Sequence, residues 1–245
     1  MKRSPDYTDR FYRKWQKPEG LIPFRIQQGE TDLQIYAASN LAGRAAELTA
    51  QYRKQLEETI GQYPQFQSSL KPLNIESPYS IIEDMIKKSK LAGVGPMAGV
   101  AGAIAEYVGS GLLPFTDELI VENGGDIFIK IQSDRTMHVY TGEESPFRNR
   151  LFLNLKERQK PYGICTSSAH IGHSLSFGKT DATVIVAPSA ITADVFATAV
   201  GNLVHTEEDI DKGLQLVQGC GVCFGALIVI GGKIGAWGDI EFASD

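Results

Sequence analysis

The chain has 245 residues, of which 42% are hydrophobic and 22% charged, and its formal net charge is −5. This is the composition of a globular protein with an ordinary core, long enough for one large domain or two small ones. The acidic balance excludes a general nucleic-acid binder, which needs a basic surplus to neutralise phosphates. Lys2, Arg3, Arg10, Arg13, Lys14 and Lys17 read as a solvated N-terminal arm. Three cysteines do not make an even disulfide framework, so a reducing compartment is expected. Residues 1–20 are polar and lack the apolar core of a signal peptide. The most apolar stretch, Leu91–Phe115, is interrupted by Pro96 and Glu106. A cytoplasmic protein without a membrane partner is therefore expected.

Leu21–Gln27 and Asp32–Ala37 alternate apolar and polar residues around Gly29-Glu30, which predicts a hairpin. Asn40 is placed to cap a helix from Leu41 to about Ile60, ending near Gly61. Gln62–Pro78, with Pro64, Pro72 and Pro78, reads as irregular, and a second helix follows from Ser80 to Lys90. In the next segment Pro96 suits the first turn of a helix. The glycines and alanines after it lower helix propensity but let another backbone or a ligand approach closely. Asn123-Gly124-Gly125 between apolar runs predicts a second hairpin. Ala182–Ala187 reads as a buried strand, Pro188-Ser189 as a turn, and Thr192 as the N-cap of a helix to about Val204. After a further helical stretch, Phe224–Trp237 repeats the pattern of strand, Gly-Gly and strand. Hairpins mixed with helices define an α+β fold with a largely antiparallel sheet, and the repeated grammar hints at a duplicated unit. Exposed edges of such a sheet leave room for a homo-oligomer.

Asp194 and Thr198 are four apart on the predicted helix and share one face. A carboxylate and a hydroxyl so placed suit a hard cation whose shell phosphates and water complete. The competing reading is an acid that complements the helix dipole. His170 and His173 lie three apart in a Ser/Gly-rich loop, without the helical spacing or further ligands of a zinc site. His173, near Ser168, Ser174 and Ser176, is a candidate general acid or base, or an anion contact. Cys165 lies among Thr and Ser and is a second candidate for catalysis. Cys220-Gly-Val-Cys223 enters an apolar run rather than opening a helix, where a reactive pair usually sits. The glycines at 93–102 form neither a Walker loop nor a dinucleotide fingerprint, though they suit a phosphate at a helix N-terminus.

Ala182–Gly201, with Ala-Asp194-Val-Phe-Ala-Thr198-Ala at its centre, resembles the A-D-x-x-A-T-A signature of the ApbE flavin-transferase superfamily. Asn123-Gly124-Gly125-Asp126 resembles that superfamily's N-x-G-G-D hairpin, and Thr166-Ser167-Ser168 its T-S-G segment, in the same order. Gly93–Glu106 and Gly163–Gly178 resemble more closely a branch of short, cytoplasmic ApbE-like proteins. The resemblance implies a duplicated T-fold-like α+β architecture over residues 1–245, as one domain of two intertwined repeats. It implies Mg2+ held by Asp194 and Thr198, and an FAD or FMN ligand, or another phosphorylated small molecule, near Asn123–Asp126 and Thr166–Ser168. It also implies FMN transfer as an activity. The short branch is linked to sulfur assimilation and homocysteine formation, which keeps open an accessory role for the thiols; a binding module that has lost catalysis is a third reading. The chain departs from the superfamily pattern at several places. No lysine stands in Gly93–Glu106, where Lys-Gly is usual, and the aspartate expected nearby has only Glu106 close to it. The glycine of T-S-G is Ser168, and His173–Gly178 replaces H-x-x-D-P-x-T-G.

Overall fold

The computed structural model describes residues 20–168 and 178–243. The first hairpin pairs β1 (Ile22–Gln28) with β2 (Thr31–Ala37) across Gly29-Glu30, as the alternation predicts. Helices α1 (Ala42–Gln62), the short α2 (Gln65–Ser68) and α3 (Ser80–Ala92) follow; a 3-10 turn at Pro96–Gly99 then leads into α4 (Val100–Leu112). A second hairpin joins β3 (Leu119–Asn123) to β4 (Asp126–Lys130). Its turn glycines, Gly124 and Gly125, have φ of 72° and 102°, a region that a side chain with a Cβ rarely enters. Two short strands, β5 (Arg135–His138) and β6 (Phe152–Leu155), form a separate small sheet. The remainder comprises β7 (Tyr162–Ser167), β8 (Ala182–Ala187), α5 (Ala190–Leu203), α6 (Ile210–Cys220), β9 (Gly225–Ile230) and β10 (Lys233–Gly238).

Eight strands form one antiparallel sheet in the order β1-β2-β3-β4-β7-β8-β9-β10. Two strands, helices and two strands therefore occur twice along the chain, and the two sets meet where β4 pairs with β7. The helices cover one face; Leu33, Ile35, Val121, Cys165, Ile185 and Ile228 point into that core. On the other face Ile129, Ile164, Val184, Val186, Leu227 and Val229 pack against Met137, Leu153 and Leu155 of the small sheet. Cover on both faces explains why β8 and β9 read as unbroken apolar runs: every residue in each is buried.

Two helix starts differ from the sequence reading. The first helix begins at Ala42 and not Leu41; Asn40 still accepts from the Ala42 N–H at 3.0 Å. It also continues through Gly61 to Gln62, since Gly61 keeps helical geometry there. The N-cap of α5 is Ser189, three residues before Thr192, and its hydroxyl accepts from the Thr192 N–H at 3.3 Å. Ser189 has the extended backbone and the side-chain oxygen that a cap requires.

Residues Pro96–Phe115 have the length and apolarity of a membrane span. The fold uses them as a core helix: α4 packs against α1, α5, β3 and β4 and buries Gly102–Ala105, Val108, Gly109 and Leu112. The glycines permit this contact. A Cβ on Gly102 would stand 2.4 Å from the Ala190 carbonyl oxygen and 2.9 Å from Asp194 Cβ. One on Gly163 would stand 2.3 Å from Ala190 Cα, so β7, α5 and α4 stack with almost nothing between their backbones. Gly102→Ala is expected to lower stability by about 1–3 kcal/mol through overpacking. Gly61→Ala, which meets nothing within 4 Å, is expected to raise it by up to about 1 kcal/mol. Urea midpoints of the two variants check both signs.

Candidate functional site

The site begins where α4 begins. Its N-cap position is Gly99, which has no side-chain oxygen to satisfy the first N–H groups of the helix. Asp194 of α5 supplies one: its Oδ2 accepts from the Gly102 N–H at 2.8 Å, and Ala101 N–H also donates to the carboxylate. The favour is returned at the other end of the helix pair. Glu106 of α4 accepts from Ser189 Oγ at 2.7 Å and from Ile191 N–H at 3.1 Å, at the start of α5. Two antiparallel helices thus cap one another, α5 with the buried Asp194 carboxylate and α4 with the half-buried Glu106. Each carboxylate also sits at the positive end of its neighbour's dipole. Glu106, the acid closest to the superfamily's missing aspartate, is therefore engaged with α5.

Around this junction the structure gathers most of the sequence-predicted residues. Asn123 Nδ2 donates to the Ala101 carbonyl at 3.1 Å and fixes the β3–β4 turn against α4. Glu122 Oε1 accepts from the Gly125 N–H at 2.8 Å and holds the turn itself. Asp126 pairs in register with Cys165, and the position a Cβ would take on Gly125 lies 3.7 Å from the Thr166 carbonyl oxygen. Thr198, one turn along α5 from Asp194, donates to the Ala98 carbonyl at 3.4 Å. Ala98, Ala101, Gly125, Thr166 and Thr198 are each half-buried, beside the buried Asp194. Ser167 stands slightly apart: a Cβ on Gly201 would lie 3.2 Å from its hydroxyl. Ser168 is half-buried at the end of β7. His170 and His173 lie outside the described residues.

The electrostatics follow from burial. Asp194 is 8% exposed, and burial pushes its carboxyl up to about 7, against the lowering effect of the two N–H groups. Among the described residues no Lys or Arg pairs with it. Burial raises Glu106 as well, with its hydrogen bonds from Ser189, Ile191 and Ala190 acting the other way. Cys165 is 0% exposed and its thiol donates to the Ala190 carbonyl at 3.2 Å. Burial, then the charges of Asp126 and Asp194, push that thiol well up. A catalytic thiol needs access and a stabilised thiolate. Cys165 has neither, and the structure gives it a packing position.

Asp194 Oδ, Thr198 Oγ1 and the Ala98 carbonyl make a set of oxygen donors only, the chemistry that suits Mg2+. Among the described residues no three His, Cys, Asp or Glu side chains converge into a cage, so a cation here would need phosphate oxygens and water to complete its shell. That is the usual mode for Mg2+ at phosphate sites. The acid that completes each helix start was not legible in the sequence, because the hydrogen-bond partners are separated by 92 residues for Asp194 and by 83 and 85 for Glu106.

This architecture is that of the ApbE flavin transferases. The flavinyl transferase ApbE of Pseudomonas stutzeri, solved in apo form, superposes with a TM-score of 0.59 at 12% identity, covering 89% of this chain and 94% of that one. The ApbE protein of Thermotoga maritima gives 0.55 at 14% identity, over 88% and 96%. The chain belongs to the family described as AbpE bacteria, which it matches over residues 13–215. Similar proteins include UPF0280 proteins from Methanococcus aeolicus, 35% identical over 77% of this chain and 78% of the relative, and from Methanocaldococcus jannaschii, 37% identical over 80% and 82%.

A buried carboxyl raised from the ordinary 3.8 to about 7 has a defined effect on stability. The folded state then binds more protons than the unfolded chain between those values, so the contribution is fully present below 3.8 and lost as pH rises through about 7. In divalent-free buffer the unfolding midpoint is expected to fall across this window. Asp194→Asn, which keeps an oxygen for Gly102, is expected to flatten the fall; equal slopes in the two proteins would contradict the assignment.

Proposed function

We propose that the chain binds a flavin nucleotide (FAD or FMN), or a phosphorylated ligand of similar shape, with Mg2+ held by Asp194 and Thr198. The observation that carries this reading is the buried Asp194 carboxylate, which lacks a cationic partner among the described residues and shares a helix face with the Thr198 hydroxyl beside the start of α4. The fold and the family support it, because the two solved ApbE proteins share this architecture.

In this reading the chain's own residues do most of the positioning. The start of α4 supplies the positive end of a helix dipole, where anionic groups are favoured. Asn123 clamps the β3–β4 turn to Ala101, so Gly124 and Gly125 present backbone without side chains to a close-lying ligand. Asp126, Thr166, Ser167 and Ser168 line the adjoining strand ends, with oxygen and nitrogen groups suited to ribityl or phosphate oxygens. Bound Mg2+ would neutralise phosphate charge and polarise a pyrophosphate. FMN transfer with release of AMP is the reaction this arrangement suits, with His173 as the candidate acid or base. The absence of a lysine from Gly93–Glu106 makes binding the primary expectation and transfer the secondary one.

FAD titrated into purified protein, followed by flavin fluorescence, is expected to bind more tightly with Mg2+ than with EDTA. Asp194→Asn should lose the Mg2+ dependence, and Thr198→Val should weaken it about tenfold, the scale of one lost charge-assisted contact. No binding at high micromolar FAD in either buffer would refute the flavin reading. Equal Mg2+ dependence in wild type and Asp194→Asn would refute the metal assignment.

A further inference from the structure

The Cys220-Gly-Val-Cys223 motif takes no part in the site described above, and it lies at a turn between a helix and a strand. Cys220 is the last residue of α6. Gly221 follows in the left-handed conformation, φ 65°, and turns the chain back so that Cys223 precedes β9. The turn places Cys220 and Cys223 at its two ends, close enough for the Cys220 thiol to push that of Cys223 up. Cys220 Sγ donates to the Val217 carbonyl at 2.9 Å and receives the Val222 N–H at 3.5 Å. Cys220 is half-buried and Cys223 is buried beneath it in the helix-side core. Both are free thiols.

We infer that Cys220 and Cys223 form a reversible dithiol–disulfide site that closes the junction between α6 and β9, with low-molecular-weight disulfides as the oxidant. The Cys220 thiolate, the accessible partner, attacks a small disulfide RSSR, forming a mixed disulfide and releasing RS−. The Cys223 thiolate then attacks Cys220 Sγ, forming the internal bond and releasing the second RS−. The two protein thiols lose two protons and two electrons, and RSSR becomes two RSH.

The place in the fold sets the character of the pair. A redox-active pair at a helix N-terminus has its thiolate stabilised by the dipole; this one stands at the carbonyl end, where negative charge is disfavoured. Burial and the adjoining Cys220 push the Cys223 thiol up in the same sense. Thiolates held at a cost make slow attackers but favour the oxidised form at equilibrium, the reverse of a strongly oxidising pair whose reduced state is stabilised. The site therefore closes slowly, faster at alkaline pH, and once closed resists weak monothiol reductants.

The test uses the full chain, reduced, freed of reductant, and incubated at about pH 8 with oxidised glutathione. After denaturation, remaining thiols are blocked with N-ethylmaleimide and the protein is weighed and digested with trypsin. Wild type is expected to carry one label in place of three, with the peptide between Lys212 and Lys233 lighter by two hydrogens. Cys223→Ser should stop at a glutathione adduct on Cys220, whereas wild type passes through that adduct. Three labels on wild type after prolonged incubation, or a stable glutathione adduct on wild-type Cys220, would overturn the inference. Flavin binding plays no part in this readout, so its outcome is independent of the proposal for Asp194.

Discussion

The contact on which the structure depends is the close antiparallel crossing of α4 and α5. Glycine at 102 brings the Ala190 backbone within van der Waals reach, and glycine at 163 admits the same residue from the sheet side. At such a distance the facing helix lies directly against the first N–H groups of each helix. The N–H groups that a solvent-facing helix would leave to water must find partners within the protein. Asp194 and Glu106 are those partners. The glycines and the two acids are one solution to one problem: tight packing creates orphan donors, and the facing helix brings the oxygens that satisfy them.

The same crossing shapes the candidate site. A carboxylate buried for capping has lost its hydration and, among the described residues, has gained no cation; its ordinary charge is therefore costly. The Thr198 hydroxyl and the Ala98 carbonyl, which face one another one turn along α5, are the oxygens that would join Asp194 around a hard cation and relieve that cost. The β3–β4 turn is anchored by Asn123 to the same helix start, so strand, turn and helix present a rigid rim. Rigidity of this kind is what a site needs if it is to orient a phosphate and not merely attract one.

The sheet and its helices were largely legible in the sequence, for physical reasons. The hairpins at Gly29-Glu30, Gly124-Gly125 and Gly231-Gly232 show themselves through local turn chemistry, and β8 and β9 through unbroken apolar runs. The small sheet of β5 and β6 went unread because Arg135-Thr-Met-His carries little apolar alternation; its burial comes from Leu153 and Leu155 docking on β4, β7, β8 and β9. Motif resemblance led to Asp194 and Thr198, but not to what they touch. The cap at Ser189 was misplaced by three residues because serine and threonine both qualify locally. The tertiary partnership of Ser189 with Glu106 decides between them. Cys165 shows the converse: polar neighbours in sequence suggest a reactive thiol, while strand alternation turns the side chain into the helix-side core.

Because the strands follow one another across the sheet in chain order, the seam between β4 and β7 divides the molecule into an earlier and a later set of elements. Asn123, Asp126 and the start of α4 come from the earlier set; Thr166, Asp194 and Thr198 come from the later one. As the chain emerges from the ribosome, the first set is complete long before α5 exists, and its α4 then has neither its cap nor its packing partner. The candidate site is assembled only when the second set docks. A ligand that bridges the seam would thus act as a fastener late in biogenesis, coupling occupancy of the site to completion of the fold.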